Sequence, residues 1–255
     1  MRFASLGSGS QGNALVVQAG RTCVLLDCGF RVKETFARLA ALGLAPDDLA
    51  AIVISHEHDD HIAGAIPFAR KYNLPLWLTY GTMRALNGFC TSPPRLSVIE
   101  GHRCFSIGDI SIEPYPVPHD AREPAQFVFS DGARKLGVLT DSGCATRHIE
   151  AVLRSCDALV LECNHDGEML RNGIYPPRLK ARISGRLGHL DNADAASLLS
   201  ALDCTRLQHV VAAHVSQQNN TPQLARAALC AVLNCADEWV TVADQVSGFS
   251  WLQIT

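Results

Sequence analysis

Residues 52–61 read Ile-Val-Ile-Ser-His-Glu-His-Asp-Asp-His, an apolar run that turns abruptly into imidazoles and carboxylates. A buried strand delivers the residues at its end to a sheet edge, where sites are usually built. Imidazole nitrogen and carboxylate oxygen are the donors that suit Zn, Mn or Fe. His-x-His-x-Asp-His supplies four of them, His56, His58, Asp60 and His61, within six residues. A polar, His-rich surface turn is the competing reading. Against it stand three isolated polar residues that end other apolar runs: His119 in Pro116-Val117-Pro118-His119, Asp141 in Leu139-Thr140-Asp141, and His214 in Val211-Ala212-Ala213-His214. Repetition of one pattern argues for metal binding, and two ions about 3.5–4 Å apart can clamp an oxyanion and share an activated water.

The remaining periodicity surrounds that stretch with alternating elements. Strand-like runs cover Asn13 to Gln18, Thr22 to Asp27, Ala51 to Ser55 and Leu74 to Thr79. A series from Cys104 to Thr140 comes next, with hairpin signals at Gly108-Asp109 and Asp131-Gly132. Later strands are expected at Ala158 to Leu161, Val210 to Ala213, Trp239 to Val242 and Phe249 to Ile254. Helical spacing marks Val32 to Leu42, Ala145 to Ser155, Ala193 to Leu202 and Pro222 to Leu233. No composition break interrupts the alternation. The expectation is one domain over residues 1–255, a layered α/β sandwich.

Composition narrows the class. With 47% apolar residues, 18% charged residues and a net charge of −3, neither disorder nor a globally basic nucleic-acid-binding surface is indicated. The first residues break into Gly and Ser before a signal sequence could develop, and no long apolar stretch occurs later, so a cytoplasmic protein without membrane contact is expected. Ten cysteines occur without a Cys-x-x-Cys pair, mostly inside apolar runs, and read as reduced core residues.

With His56-x-His58-x-Asp60-His61 followed by His119, Asp141 and His214, the chain resembles the metallo-β-lactamase superfamily along its whole length. The resemblance implies an αββα four-layer sandwich with a dinuclear site at one edge. It also implies that His56, His58 and His119 hold one metal, that Asp60, His61 and His214 hold the other, and that Asp141 bridges them. Asp60 counts among the catalytic groups as well. The donor types leave Zn and Mn as the first choices for the two cations, with Fe admissible.

Two later segments, Leu161-Glu162-Cys163-Asn164-His165-Asp166 and Gly188-His189-Leu190-Asp191-Asn192, add a further chemistry. A carboxylate ending a strand can orient an imidazole and raise its pKa, so Glu162 and His189 form a candidate general-acid pair. Phosphodiester cleavage needs one to protonate a poor leaving group. The plain alternative is that Asp191 or Asn192 caps a helix and His189 is a bystander. These segments, with Ser8-Gly9-Ser10-Gln11-Gly12-Asn13 and His214-Val215-Ser216, resemble the phosphodiesterase branch that includes RNase Z, and more closely the bacterial YycJ/WalJ group. That resemblance implies 5′-to-3′ exonuclease action on double-stranded DNA. Asp191 departs from the serine expected there, and a carboxylate beside the proton donor could repel phosphate.

Substrate contacts are expected from Arg171, Arg178, Lys180, Arg182 and Arg186, which fall in a stretch free of acidic residues between Glu168 and Asp191, and from Asn164. A solvated helix face is the alternative. The Gly7 to Gly12 loop reads as a tight turn more readily than as a phosphate cradle, and Asp27 as a brace for the metal loop. His102, His148 and His209 have no supporting context. DNA is favoured over RNA as partner, and the oligomeric state is open. Competing functions are hydrolysis of small phosphodiesters such as cyclic nucleotides, a non-catalytic metal-bound partner in cell-wall or division control, and thioester or lactone hydrolysis.

Overall fold

The structure, a computed structural model, describes residues 1–86 and 95–255. In chain order the first half gives strands β1 (Arg2–Gly7), β2 (Ala14–Ala19), β3 (Thr22–Leu26), β4 (Ala51–Val53), β5 (Leu76–Thr79) and β6 (Leu96–Ile99). Its helices are α1 (Val32–Ala41), α2 (Asp59–Ile62), α3 (Ala65–Tyr72) and α4 (Tyr80–Ala85). The second half gives β7 (Phe105–Ile107), β8 (Ile110–Pro116), β9 (Ala125–Ser130), β10 (Lys135–Leu139), β11 (Ala158–Glu162), β12 (His209–Ala213), β13 (Val240–Val242) and β14 (Phe249–Gln253). Its helices are α5 (Arg147–Leu153), α6 (Gly167–Asn172), α7 (Pro177–Ile183), α8 (Asn192–Ala201) and α9 (Pro222–Leu233).

Two seven-stranded sheets result, ordered β14-β1-β2-β3-β4-β5-β6 and β13-β12-β11-β10-β9-β8-β7. Each joins an antiparallel part to a parallel one, with β3 to β6 parallel in the first and β10 to β13 parallel in the second. Side-chain alternation sorts each strand between two cores. Leu15, Val17, Val24 and Leu26 face Phe127, Phe129, Val138 and Val160 between the sheets. Val16, Cys23 and Leu25 turn instead to Leu39 and Phe68 of the α1/α3 layer. Val128, Leu159 and Leu161 meet Ile149, Leu198 and Leu229 of α5, α8 and α9. Strands buried on both faces read as unbroken apolar runs, which is why the sequence shows few clean alternations. The αββα four-layer sandwich is thus the observed architecture.

The expected strands and helices occur to within a residue or two at most ends, and Gly108-Asp109 and Asp131-Gly132 lie in the β7/β8 and β9/β10 connections. Reading by periodicity passed over β1, whose Ser and Gly interrupt the apolar pattern, the short edge strand β6, and the short helices α2, α3, α4, α6 and α7. All nine described cysteines are free, five of them buried; Cys90 lies outside the described residues. No helix among the described residues is long and apolar enough to cross a membrane.

Candidate metal centre

The seven expected ligands follow four different strands at or beyond their carboxyl ends and meet at one edge of the sandwich. His56 and His58 follow β4, and Asp60 and His61 lie on α2. His119 follows β8, Asp141 follows β10 and His214 follows β12. Four groupings of donor atoms within 4.8 Å of one another arise among the described residues: His56 with His58 and His119; Asp60 with His61 and His214; Asp141 with His56 and His61; and Asp141 with His214, Glu162 and His189. The His/Asp cluster is compatible with a dinuclear metal site, Asp141 lying between its two parts. Its Oδ1 is 3.3 Å from His214 Nε2 and 3.9 Å from His119 Nε2, and its Oδ2 is 3.2 Å from His61 Nε2.

Around the donors, neighbouring groups fix which nitrogen of each ring is free. Asp27 accepts hydrogen bonds from the Ser55 amide at 2.8 Å, from Ser55 Oγ and from His61 Nδ1 at 2.8 Å, so the expected brace reaches the second ligand set through His61. Ser55 Oγ in turn lies 2.9 Å from His56 Nδ1. His119 Nδ1 donates to the Gly188 carbonyl at 3.1 Å. Asn13 Nδ2 donates to Asp60 Oδ2 at 3.1 Å. In each ring the other nitrogen turns to the centre, and Asp60 Oδ2 itself faces it, 3.4 Å from His61 Nε2 and 3.3 Å from His214 Nε2. Gly29 allows this packing, because a Cβ there would come within 1.9 Å of the Asp60 carbonyl oxygen.

The backbone is strained at the same places. Asp27, Asp141 and His214 have φ of 59°, 55° and 53°, a left-handed conformation that Asp and His tolerate better than most side chains. Such positions cost about 1–3 kcal/mol each and cluster at functional sites.

Two buried atoms in the centre have no hydrogen-bond partner, His56 Nε2 and Asp141 Oδ2. Leaving such groups unsatisfied costs about 1–3 kcal/mol apiece, and a cation would satisfy both. Burial holds His56 and His119 below the ordinary histidine pKa, in the neutral form that ligates. At His61 and His214 burial is outweighed by the Asp141 and Asp60 carboxylates, which raise His61 well above its usual value and His214 to about 9. The donors therefore fit a pair of divalent cations in type, orientation and charge.

Beside the cluster, Glu162 is fully buried at the end of β11. It accepts from His189 Nδ1 at 2.8 Å, from the Ser142 amide at 2.9 Å and from the Leu190 amide at 3.2 Å. Burial opposes charge on the His189 ring, but Glu162 prevails and raises its pKa. The cap and the pairing coexist: Asp191 caps α8 by accepting from the Asp194 amide at 2.7 Å, while His189 faces Glu162.

A cavity of about 350 Å³ opens over the centre, lined among others by Asp60, Asp141, His189, His214, Tyr175 and Arg182. Asn164 also lines it, but its amide is buried and rests on the His214 carbonyl at 3.0 Å and ring at 3.1 Å. The basic residues divide into two kinds. Arg182 is bound to Asp120 at 2.6 Å, and Lys180 donates to the Arg171 carbonyl at 2.8 Å. Arg171, Arg178 and Arg186 are exposed, with no side-chain partner among the described residues. The Asp120–Arg182 pair was not foreseen: the partners are 62 residues apart, and only the position of Asp120 next to His119 hinted at it.

The Gly7 to Gly12 loop is a turn. Most of its amides are occupied by other protein groups: Gly9 donates to Asn13 Oδ1, Gln11 to Gln245 Oε1 and Gly12 to the Gly9 carbonyl. His102 and His148 are exposed, and His209 bonds the Gln253 carbonyl.

Residues 22–215 match the family model described as a beta-lactamase superfamily domain. The chain is 36% identical to exodeoxyribonuclease YycJ of Bacillus anthracis over 235 residues, 91% of this chain and 89% of that one. It is 34% identical to exodeoxyribonuclease WalJ of Streptococcus pneumoniae over 250 residues, 96% and 93% of the two. The crystal structure of the metallo-β-lactamase fold protein YhfI from Bacillus subtilis superposes with a TM-score of 0.76 at 16% identity, covering 98% of each chain.

Proposed function

Because the chain belongs to the beta-lactamase superfamily, we propose that it is a dinuclear-metal phosphodiester hydrolase that degrades double-stranded DNA from its 5′ ends, acting as one domain. The observation that carries the reading is the His189–Glu162 pair beside the seven-ligand cluster, facing one cavity. The names of the relatives, both exodeoxyribonucleases, supply the choice of DNA.

His56, His58 and His119 would hold one cation and Asp60, His61 and His214 the other, with Asp141 shared; the pair would supply Lewis acidity towards phosphoryl oxygens and acidify the attacking water. Zn and Mn suit these donors, with Fe admissible. His189 keeps its Nδ1 proton on Glu162 and can deliver a proton from Nε2 to the departing oxygen, the Glu162 carboxylate stabilising the charged ring. Asn164 holds His214 and lines the wall that substrate passes. Arg171, Arg178 and Arg186 are free to meet the phosphates of a polymer, and Arg182 joins them when it leaves Asp120.

Digestion of linear duplex labelled at either end, with Mn or Zn and Asp141→Ala as control, tests this reading. Stepwise loss from the 5′ end by the intact protein alone is the expected result; loss from the 3′ end, or none, refutes it. Internal pairing of Arg182 and Lys180 favours a second reading, a hydrolase of small phosphodiesters. Charge reversal at Arg171 and Arg178 separates the two, since it should cripple a polymer substrate and spare a small one.

A further inference from the structure

The loop between α6 and α7 reads Gly173-Ile174-Tyr175-Pro176 and runs into Pro177 of α7. Ile174 is 88% exposed, the most exposed large apolar side chain among the described residues. Beside it Tyr175 is half-buried and lines the cavity over the metal centre, together with Asp141 and His189. Neither side chain has a hydrogen-bond or ring partner among the described residues. An isoleucine so exposed gains nothing for the fold, and a lone tyrosine ring at a cavity wall offers an apolar face.

The loop is stiff. A residue preceding proline is confined to extended conformations, which restricts Tyr175 and Pro176. At the other end Gly173 is pressed against the segment after His214, where a Cβ would come within 2.6 Å of Asn219 Oδ1. The backbone that carries the two side chains is thus restrained at both ends, which lowers the ordering left for binding. Arg171 and Arg178 flank them with unpaired charge on the same exposed segment.

We propose that this loop is a strand-separating element: Tyr175 stacks on the base next to the scissile phosphate, and Ile174 wedges against the first intact base pair. The proposal rests on the nuclease reading above. A duplex end cannot bring one strand's phosphate into a cavity of about 350 Å³ without parting from its complement. Apolar wedges such as Ile between base steps and aromatic platforms under single bases are the two side-chain devices that compensate for lost stacking.

The test uses the full chain with Mn on three substrates: bis(p-nitrophenyl) phosphate, a single-stranded oligonucleotide, and the blunt duplex of the same sequence. Tyr175→Ala should raise KM on the single strand and the duplex roughly 5- to 150-fold, with little change in kcat. Tyr175→Phe, which keeps the ring, should behave as the intact protein. Ile174→Ser should slow the duplex about tenfold and leave the single strand unchanged. Three results overturn the proposal: single-strand KM in Tyr175→Ala within twofold of the intact protein, failure of Tyr175→Phe to rescue, or equal effects of Ile174→Ser on duplex and single strand. Failure of the nuclease reading looks different, because there the intact protein itself leaves DNA uncut while hydrolysing the small ester.

Discussion

Replacing His189 by Ala and Glu162 by Gln, singly and together, tests the proton-donor assignment when the leaving group is varied. Glu162 receives three N–H groups in a site closed to solvent, one from the His189 ring and two from the backbone. A carboxamide can accept at one end only, so its NH₂ must oppose either the imidazole proton or the two amides. Loss of a charge-assisted hydrogen bond of about 1.5–3 kcal/mol slows the step that needs a charged His189 by roughly 10- to 150-fold. Removing the ring should slow turnover about 10²- to 10⁴-fold. Because Glu162 acts through His189, the double variant should match His189→Ala alone rather than the product of the two losses. All this applies to a dinucleotide, whose alkoxide needs a proton to leave. On bis(p-nitrophenyl) phosphate the leaving group departs unaided, and both variants should stay within about fivefold of the intact protein. The alkaline limb of the dinucleotide profile marks deprotonation of His189, whose pKa is raised despite burial, and Glu162→Gln should move that limb to lower pH. Equal losses on the two substrates would refute proton donation by His189, and multiplicative losses in the double variant would refute the coupling.

The metal centre, its brace and the cysteines carry further expectations. Carboxylates hold protons on His61 and, up to about pH 9, on His214, so cation binding must expel them. Affinity for Zn or Mn should therefore rise with pH towards about 9 with measurable proton release in calorimetry, and a flat profile above pH 6 would contradict it. Asp27→Ala strands three donors in a pocket where Asp27 is 4% exposed. Thermal stability should drop and metal affinity weaken about 10- to 100-fold, read by denaturation scans and metal titration, whereas unchanged values of both would remove the brace. Burial pushes the Cys23 and Cys28 thiols up to about 12 and raises Cys163 further, while Cys104 is exposed. A thiol reagent at neutral pH should thus label Cys104 quickly in the folded protein and spare those three until denaturant is added; rapid labelling of Cys163 in the native state would contradict the buried placement.

The clustered His and Asp donors were legible because a strand end is a local event. An apolar run stopping at His, Asp or His announces both the element and the edge, four times over. Glu162 could be read for the same reason, since it is itself the last residue of β11. What stayed hidden depends on contacts between distant segments. The occupied amides of the Gly-rich loop required Gln245, more than two hundred residues away, and the pairing of Arg182 with Asp120 required α7 to fold back over the His119 loop. Tyr175 carried a faint signal, an aromatic next to two prolines inside a basic segment, and its place in the wall of the cavity that His189 also lines emerges only from the fold. β1 escaped because burial of its Ser5 is made tolerable by bonds to Ala14 and Gly7 that no periodicity reveals.

The left-handed backbone at Asp27, Asp141 and His214 limits how this centre could be re-engineered. A protein designer wishing to turn it into a soft-metal site would write cysteine at 141 or 214, as thiolates select copper(I) or zinc over harder ions. Those two positions admit Asp, Asn, His and Gly with far less strain than any other side chain. Softening the donor set would thus begin at a conformational disadvantage before a single ligand bond formed. At these two positions the choice of oxygen and nitrogen donors is therefore constrained by dihedral angles as well as by side-chain chemistry.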